Sequence, residues 1–176
     1  MKIQVRQGVF ETNSSSTHAI SIASPQELFT IPETIKFTSD KEFGWEVELY
    51  DDYLSKAAYL WLTIISNYSD ISYESKIIEY KEKLTEILWN AGVKNVEFDD
   101  NTYTESSWNK GYMYLDIDGY IDHTPDIRFI DDLIDEPELL ISFLFNPNSV
   151  IETGNDNDDY SPGFRDDAVA TFWKSN

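Results

Sequence analysis

The spacing of apolar residues changes along this chain of 176 residues, and the change restricts the folds that it can adopt. Residues 51–67 and 75–91 carry apolar residues at helical spacing, and Gly92 follows the second segment as a typical helix C-cap. The segments on either side alternate apolar and polar residues, as strands do. Strands and helices do not alternate strictly, which argues against a parallel α/β sheet. The sequence therefore predicts a single α+β domain over residues 1–176, with a mixed or antiparallel sheet packed against about three to four helices.

The alternating segments predict strands or short extended pieces at residues 2–6, 19–23, 34–38, 43–49, 93–98, 112–118, 120–123 and 149–152. Two further helices are predicted at 131–145 and 166–173, and Pro137 restarts the first of them. One helical turn is expected at 24–27, and turns or loops are expected at 13–17, 99–101 and 154–163.

The charge of the chain limits its partners. It carries 33 acidic against 13 basic residues, a formal net charge of −20. Such a surface repels nucleic acid and anionic membranes, so neither is expected as a direct partner. It can collect divalent cations, or it can imitate a nucleic acid and occupy a basic groove on another protein. A plainer interpretation, in which the charge only keeps the protein in solution, is also open.

The chain contains no cysteine, which excludes disulfides, cysteine-ligated metal centres and a cysteine nucleophile. Residues 1–6 lack the apolar stretch of a signal peptide, and the apolar run at 57–65 is too short to span a bilayer. We therefore expect a cytoplasmic protein. The oligomeric state cannot be derived from the sequence.

Familiar catalytic motifs are absent. The sequence has no phosphate-binding loop, no dinucleotide-binding fingerprint and no His-Glu-x-x-His helix. Residues 156–159 lack the spacing, central glycine and final glutamate of a calcium loop, and they are interpreted as a solvated turn. A serine hydrolase would use Ser14, Ser15 or Ser16 as its nucleophile, but no nucleophile elbow surrounds these residues.

A run of hydroxyl residues precedes one of the two histidines. Asn13, Ser14, Ser15, Ser16 and Thr17 stand directly before His18. Such residues bend the chain and leave N–H and O–H donors that suit a phosphate or a carboxylate. His18 titrates near neutrality and can serve as acid, base or ligand. The alternative is a polar linker between two strands with an incidental histidine.

The second histidine lies in the stretch Asp122-His123, close to Asp116 and Asp118. A histidine with two carboxylates suits magnesium, manganese or iron, so a divalent cation is one option for a cofactor. Adjacent residues on a strand face opposite ways, so Asp122 next to His123 does not by itself make a catalytic pair. A structural or merely exposed histidine remains the alternative.

Residues 6–18, RQGVFETNSSSTH, resemble the opening of an uncharacterised protein family of bacteriophages, prophages and low-GC Gram-positive bacteria. Its members begin with a similar R-x-G-x-F-E-T-N-S-S-S-x-H signature. Shorter similar blocks follow at residues 43–46, 119–123, 143–146 and 153–157. Relatives carry glutamine after the second histidine where this chain has Thr124, so no role is carried over to position 124. The resemblance implies a phage-type setting and a set of polar blocks, but no reaction.

Two hypotheses of different classes follow. In the first, the polar blocks converge into a pocket that binds or processes a phosphate-bearing or nucleotide ligand. His18 and His123 would be base and acid, and Asp122 and Asp156 would orient a histidine or hold a divalent ion. The expected ligand-binding residues are Asn13, Ser14, Ser15, Ser16, Thr17, Asn155, Asp156 and Asn157.

In the second hypothesis the chain has no enzymatic activity. It is an acidic anti-defence inhibitor that imitates nucleic acid and binds a basic host protein. The expected contacts are the acidic residues 99–100, 131–132 and 156–159. Binding of this kind weakens steeply as salt rises.

Overall fold

The computed structural model describes residues 16–26, 28–44, 46–155 and 162–174. Four α-helices lie within these ranges: α1 (Tyr53–Asn67), α2 (Glu74–Ala91), α3 (Arg128–Asp135) and α4 (Pro137–Phe145). A short 3-10 helix, Ile71–Tyr73, joins α1 to α2. In the part of the chain that the structure describes, no helix combines the length and the apolar character needed to cross a membrane.

The described residues also form ten strands. They are β1 (Ser16–Ile22), β2 (Thr34–Phe37), β3 (Glu42–Phe43), β4 (Glu48–Tyr50), β5 (Asn95–Phe98), β6 (Tyr103–Glu105), β7 (Met113–Leu115), β8 (Tyr120–Ile121), β9 (Val150–Asn155) and β10 (Ala170–Lys174). Four of them make an antiparallel sheet in the order β10-β1-β9-β4. The others form three pairs, of which β2–β5 and β3–β8 are parallel and β6–β7 is antiparallel. The fold is therefore α+β.

Helix α1 lies at the centre of the hydrophobic core. Asp52 caps its first turn by accepting a hydrogen bond of 2.9 Å from the Ser55 backbone N–H. Every residue from Ser55 to Ile65 is buried, so the helix has no solvent-facing side over these turns. It contacts the other three helices as well as β2 and β8. A mostly apolar helix is expected in such a position, and its buried polar residues Ser55, Lys56 and Thr63 are hydrogen-bonded.

Helices α2 and α4 follow local sequence signals. The buried residues of α2 recur every three or four positions: Ile77, Tyr80, Leu84 and Leu88. Gly92 ends this helix in the left-handed region, at φ 107°. Pro137 occupies the first turn of α4, where its missing N–H has no helical partner to lose.

Several predicted elements are confirmed and others are wrong. The two long helices, the helix restarted by Pro137, and the strands near 34–38 and 93–98 are present. The predicted helix at 166–173 is wrong, because residues 170–174 form β10 and pair with β1. Within the single helical turn predicted at 24–27, residues 25–26 form a turn rather than a helix, and Glu27 lies outside the described residues. The segment 43–49 is split between β3 and β4.

The predicted turn over residues 13–17 is wrong for its last two members. Ser16 and Thr17 belong to β1, which pairs with β9 on one side and β10 on the other. The predicted acidic loop begins later than expected, because Gly154 and Asn155 still belong to β9. The strand predicted at 2–6 lies outside the described residues.

Candidate functional site

Three polar blocks that are distant in sequence meet at one end of the four-stranded sheet. Ser16 begins β1 and pairs with Asn155, the last residue of β9. The Ser16 hydroxyl donates a hydrogen bond of 2.9 Å to the backbone carbonyl of Asp122, just after β8. Ser16 and Asn155 are both buried. The structure thus brings Ser16, Asp122 and Asn155 together. With His123, which follows Asp122 in sequence, we call these residues the β1–β8–β9 site.

His18 faces the core side of the sheet and is fully buried. Its Nδ1 atom lies 2.9 Å from the Tyr59 hydroxyl of α1, which is hydrogen-bond distance. Burial raises the pKa of Tyr59, so this residue stays a neutral phenol at all ordinary pH values. The pair connects the sheet to the central helix. A buried polar pair of this kind fixes the position of β1 relative to α1.

Thr17 faces the opposite side of the sheet from Ser16 and His18, because side chains alternate along a strand. Its strand partner Gly154 packs against Pro162, where an added Cβ would lie 2.8 Å from the proline Cδ. The Thr17 hydroxyl is buried and has no hydrogen-bond partner among the described residues. Ser16 and Thr17 therefore do not form one row of donors, as the hydroxyl run had suggested.

Asp122 and His123 form the exposed part of the β1–β8–β9 site. Their side chains are 37% and 40% exposed, and His123 Nε2 lies 3.8 Å from Asp122 Oδ1. His123 has a backbone φ of 52°, the only positive φ of a non-glycine residue in the described part of the chain. This left-handed conformation is uncommon outside glycine, and it is frequent at functional sites. His123 is thus the predicted catalytic residue that a solvent-borne ligand can reach.

Backbone contacts hold β8 and the site in place. The Gly119 N–H donates to Ser39 O at 2.6 Å, and the Asp122 N–H donates to Phe43 O at 2.8 Å. A Cβ atom on Gly119 would lie 2.7 Å from Lys41 N and closer still to Lys41 O. Glycine is needed here because the backbone of residues 39–41 approaches so closely.

The two histidines differ in their surroundings, although both lie near Ser16. His18 is closed to solvent and contacts Tyr59, whereas His123 is at the surface beside Asp122. Asn13, Ser14, Ser15, Asp156 and Asn157 lie outside the described residues; they adjoin Ser16 and Asn155 in sequence. The ligand-binding roles predicted for these five residues therefore stay predictions.

The described residues give no support to a metal centre. Within them, no group of three or more histidine, aspartate or glutamate side chains is placed to hold a metal ion. Asp122 and His123 alone supply two such groups.

Sequence reasoning missed Tyr59, the partner of His18. A signal was present, because Tyr59 stands inside an otherwise apolar stretch of α1. A buried tyrosine hydroxyl usually finds a hydrogen-bond partner, so its position predicts a polar group on the facing element. Only the fold shows that this group is His18.

A second candidate surface lies at the junction of α3 and α4. A groove of about 970 Å³ has apolar lining residues that include Leu139, Val169 and Phe172. Its carboxylates come from Asp132, Asp135, Glu136 and Glu138, and its described lining contains no basic residue. We call it the acidic groove.

Of the other acids predicted as contacts, Asp99 pairs with Lys36 and Asp131 accepts from the Tyr80 hydroxyl, while 156–159 lie outside the described residues.

No protein-family model, no curated protein and no solved structure matches this chain, so the site geometry and the sequence are the only grounds for a function.

Proposed function

We propose that this protein binds a small phosphate-bearing or nucleotide ligand at the β1–β8–β9 site. The observation that carries the proposal is the hydrogen bond from Ser16 to Asp122, together with the pairing of Ser16 with Asn155. Residues up to 139 positions apart thereby meet at one place, as a ligand site requires. The hydrogen bond from Ser16 to Asp122 offsets the cost of burying the Ser16 hydroxyl, and it fixes the backbone next to His123.

In this proposal the two histidines have different roles. His123 is exposed and contacts the ligand, as a hydrogen-bond donor to phosphate oxygen and as the acid or base of any reaction. His18 is a positioning residue, because its contact with Tyr59 holds the start of β1 against α1. The phage-type setting suggested by the sequence fits an accessory protein of this kind.

The replacement His123→Asn tests this proposal. Asparagine tolerates the left-handed backbone at position 123 but does not titrate and carries no charge. Asparagine keeps an N–H donor, so the variant replaces a charge-assisted hydrogen bond with a neutral one, which is expected to weaken binding by about 1–1.5 kcal/mol, or roughly five- to tenfold. The measurement is a thermal-shift titration with inorganic phosphate and with ATP. A ligand at about 100 times its dissociation constant stabilises the wild type by roughly 2.7 kcal/mol.

Arg128→Gln serves as the matched control. Arg128 is an exposed cation five positions from His123, and it bonds to Asp126 at 3.1 Å outside the site. Its replacement should leave the titration unchanged. If neither phosphate nor ATP stabilises the wild type, or if His123→Asn responds as the wild type does, the proposal fails.

The acidic groove favours a second candidate function, a non-enzymatic inhibitor of a basic host protein. The groove is lined by four exposed carboxylates and several apolar side chains, so it is complementary to a basic segment that also carries apolar side chains. A cytoplasmic anti-defence protein of a phage would use such a surface. This candidate requires no ligand at His123, so the two functions can be tested separately.

Neutralising the acidic groove should weaken binding of a basic peptide. The test variant replaces Asp132, Asp135, Glu136 and Glu138 with their amides, and the control variant does the same at the exposed residues Glu82, Glu86, Glu97 and Glu105. Both lose four charges. With a synthetic peptide of alternating lysine and leucine, we expect about a tenfold loss of affinity for the groove variant only, and a steep loss of wild-type affinity with salt. Equal losses in both variants would show that only the net charge matters.

A further inference from the structure

Helix α2 has an exposed side besides the face that it buries in the core. Ile78, Lys81, Glu82, Thr85 and Trp89 lie within about 100° of one another around the helix, and roughly 100° from its buried stripe. The two ends of this side are apolar, because Ile78 is 50% exposed and Trp89 is 61% exposed. The polar residues lie between them.

A groove lies between this side of α2 and the neighbouring strand β5. Its volume is about 530 Å³, and its apolar lining comes from Trp89, Val96 and Phe98. Among the described residues β5 pairs only with β2, so its other edge carries no described strand. Contiguous exposed apolar side chains of this kind mark an interaction surface. We call the exposed side of α2 together with this groove the α2–β5 face.

Two charged residues of the α2–β5 face have no ion-pair partner in the part of the chain that the structure describes. They are Lys81, which is partly exposed, and Glu86, which is exposed. The Lys81 ammonium lies 5.2 Å from the centre of the Trp61 ring and 5.4 Å from that of Phe98. Both charges are therefore open to a partner from outside the chain.

The α2–β5 face is complementary to itself. Ile78 and Trp89 stand at equal distances from the point between residues 83 and 84, on opposite sides of it, and so do Lys81 and Glu86. We consider two copies of α2 that cross antiparallel about a twofold axis at this point. Ile78 of each copy then faces Trp89 of the other. Lys81 of each copy faces Glu86 of the other, so opposite charges meet.

A second copy fits this face better than a basic peptide does. Glu82 and Thr85 form a third pair about the same point, in which the threonine hydroxyl can donate to the carboxylate. A basic segment would instead place its cations beside Lys81. The net charge of −20 on each copy opposes association at long range, but at physiological salt charges more than about 8 Å apart are largely screened.

We propose that the α2–β5 face joins two copies of this protein about a twofold axis. The interface is isologous, so the contact of Trp89 with Ile78 and the pair of Lys81 with Glu86 each occur twice. Tryptophan is enriched among the residues that contribute most to binding, so Trp89 is the expected main contact. The face contains no residue of the β1–β8–β9 site or the acidic groove, and the proposal depends on neither proposed function.

Two opposite charge reversals test the pairing. Lys81→Glu brings two carboxylates together at both charged pairs of the dimer, and Glu86→Lys brings two ammonium groups together. Each variant alone should self-associate at least about tenfold more weakly than the wild type. A mixture of the two variants restores opposite charges at both pairs, so it should form a heterodimer about as tightly as the wild type associates. Sedimentation velocity of the full chain at about 0.15 M salt, with up to about 0.5 mM protein, measures the association.

Trp89→Ala and Trp108→Ala test the apolar contact as a matched pair. Trp89→Ala should weaken self-association at least about tenfold. Trp108, which is 96% exposed and lies between β6 and β7, is outside the α2–β5 face, so its replacement should leave self-association unchanged. Far-UV circular dichroism checks that each variant is folded.

A wild type that stays monomeric over this concentration range would overturn the second copy as the partner of the face. Self-association that persists undiminished in Trp89→Ala would place the contact elsewhere. A mixture of the two charge variants that associates no better than either variant alone would overturn the antiparallel pairing.

Discussion

Replacing Lys56 with alanine is expected to lower the free energy of unfolding by about 3 kcal/mol or more. Lys56 lies on the central helix α1 and is fully buried. Its ammonium donates to the backbone carbonyls of Asn146 and Ser149, at 2.8 and 3.0 Å. Alanine leaves both carbonyls without this donor and a cavity where the aliphatic stem had packed. Denaturant unfolding at pH 7, followed by tryptophan fluorescence, measures the change.

The exposed residue Lys83 provides the control for this substitution. Lys83 lies on α2 and pairs with Glu79 at 2.8 Å on the surface. Lys83→Ala should change the free energy of unfolding by no more than about 0.5 kcal/mol, since exposed ion pairs contribute little. A loss of under about 1 kcal/mol for Lys56→Ala would contradict the structural role given to this residue.

The ionisation of Lys56 also makes the free energy of unfolding depend on pH. The conservative variant Lys56→Met, which has no ionisable group at this position, isolates that contribution. Burial lowers the pKa of Lys56 to about 8 from its ordinary value of 10.5, although Asp51 and Asp52 act in the opposite direction. Between these two values the unfolded chain binds more protons than the folded one, so the stability of the wild type rises with pH. The rise from pH 8 to 10, relative to Lys56→Met, is expected to be roughly 2–3 kcal/mol.

Buried tyrosines limit the range in which this rise can be measured. Burial raises the pKa of Tyr59 and of Tyr80, and the hydrogen bond to Asp131 adds to the shift of Tyr80. Above about pH 10 the tyrosines of the unfolded chain lose protons that the folded chain keeps, so stability falls again. Because Lys56→Met retains these tyrosines, the difference between the two proteins still reports Lys56 alone.

Gly119→Ala is expected to cost about 3 kcal/mol or more, since the atoms that its Cβ would meet belong to the backbone of residues 39–41 and cannot turn aside. The clash would separate β8 from β3 and displace the Asp122–His123 end of the site. The ligand binding that we propose for His123 should therefore weaken together with stability. Equilibrium unfolding and the phosphate titration measure the two effects.

Gly163→Ala is the matched control for Gly119→Ala. A Cβ at Gly163 meets no atom within 4 Å, and its φ is not in the left-handed region. This substitution should be neutral or slightly stabilising, by up to about 1 kcal/mol, through the reduced freedom of the unfolded chain. A Gly119→Ala protein as stable as Gly163→Ala would show that residues 39–41 can move away at little cost.

Sequence patterns predicted the parts of the fold that depend on local signals. Helix α2 has both a regular apolar stripe and Gly92 at its end, and α4 begins at Pro137. The tail at 166–173 was misassigned because its conformation depends on pairing with β1, some 150 positions away. Local propensity cannot show such a partner.

The burial of Ser16, His18 and Ser21 in β1 could not be predicted either, because it too depends on contacts with elements that are distant in sequence. A strand with one solvated face should show polar residues on that face, yet β1 is buried along its whole length. Helix α1 lies on one face at His18, and residues 162–165 lie on the other, where Ser21 accepts from the Arg165 N–H. Ser16, His18 and Ser21 are buried polar residues that form hydrogen bonds to elements distant in sequence. The rule that the alternating polar residues of a strand face solvent does not cover such residues.

Because β1 lies between β9 and β10, the four-stranded sheet can form only late in synthesis. Residues 16–22 leave the ribosome early, but their two neighbours in the sheet, 150–155 and 170–174, are made roughly 130 to 150 residues later. At about 5–20 residues per second, β1 waits roughly six to twenty-five seconds with both edges unpaired. Such an edge is a template for pairing with other chains, so the nascent protein depends on chaperones, or on temporary contacts of β1 with the already completed α1 and α2.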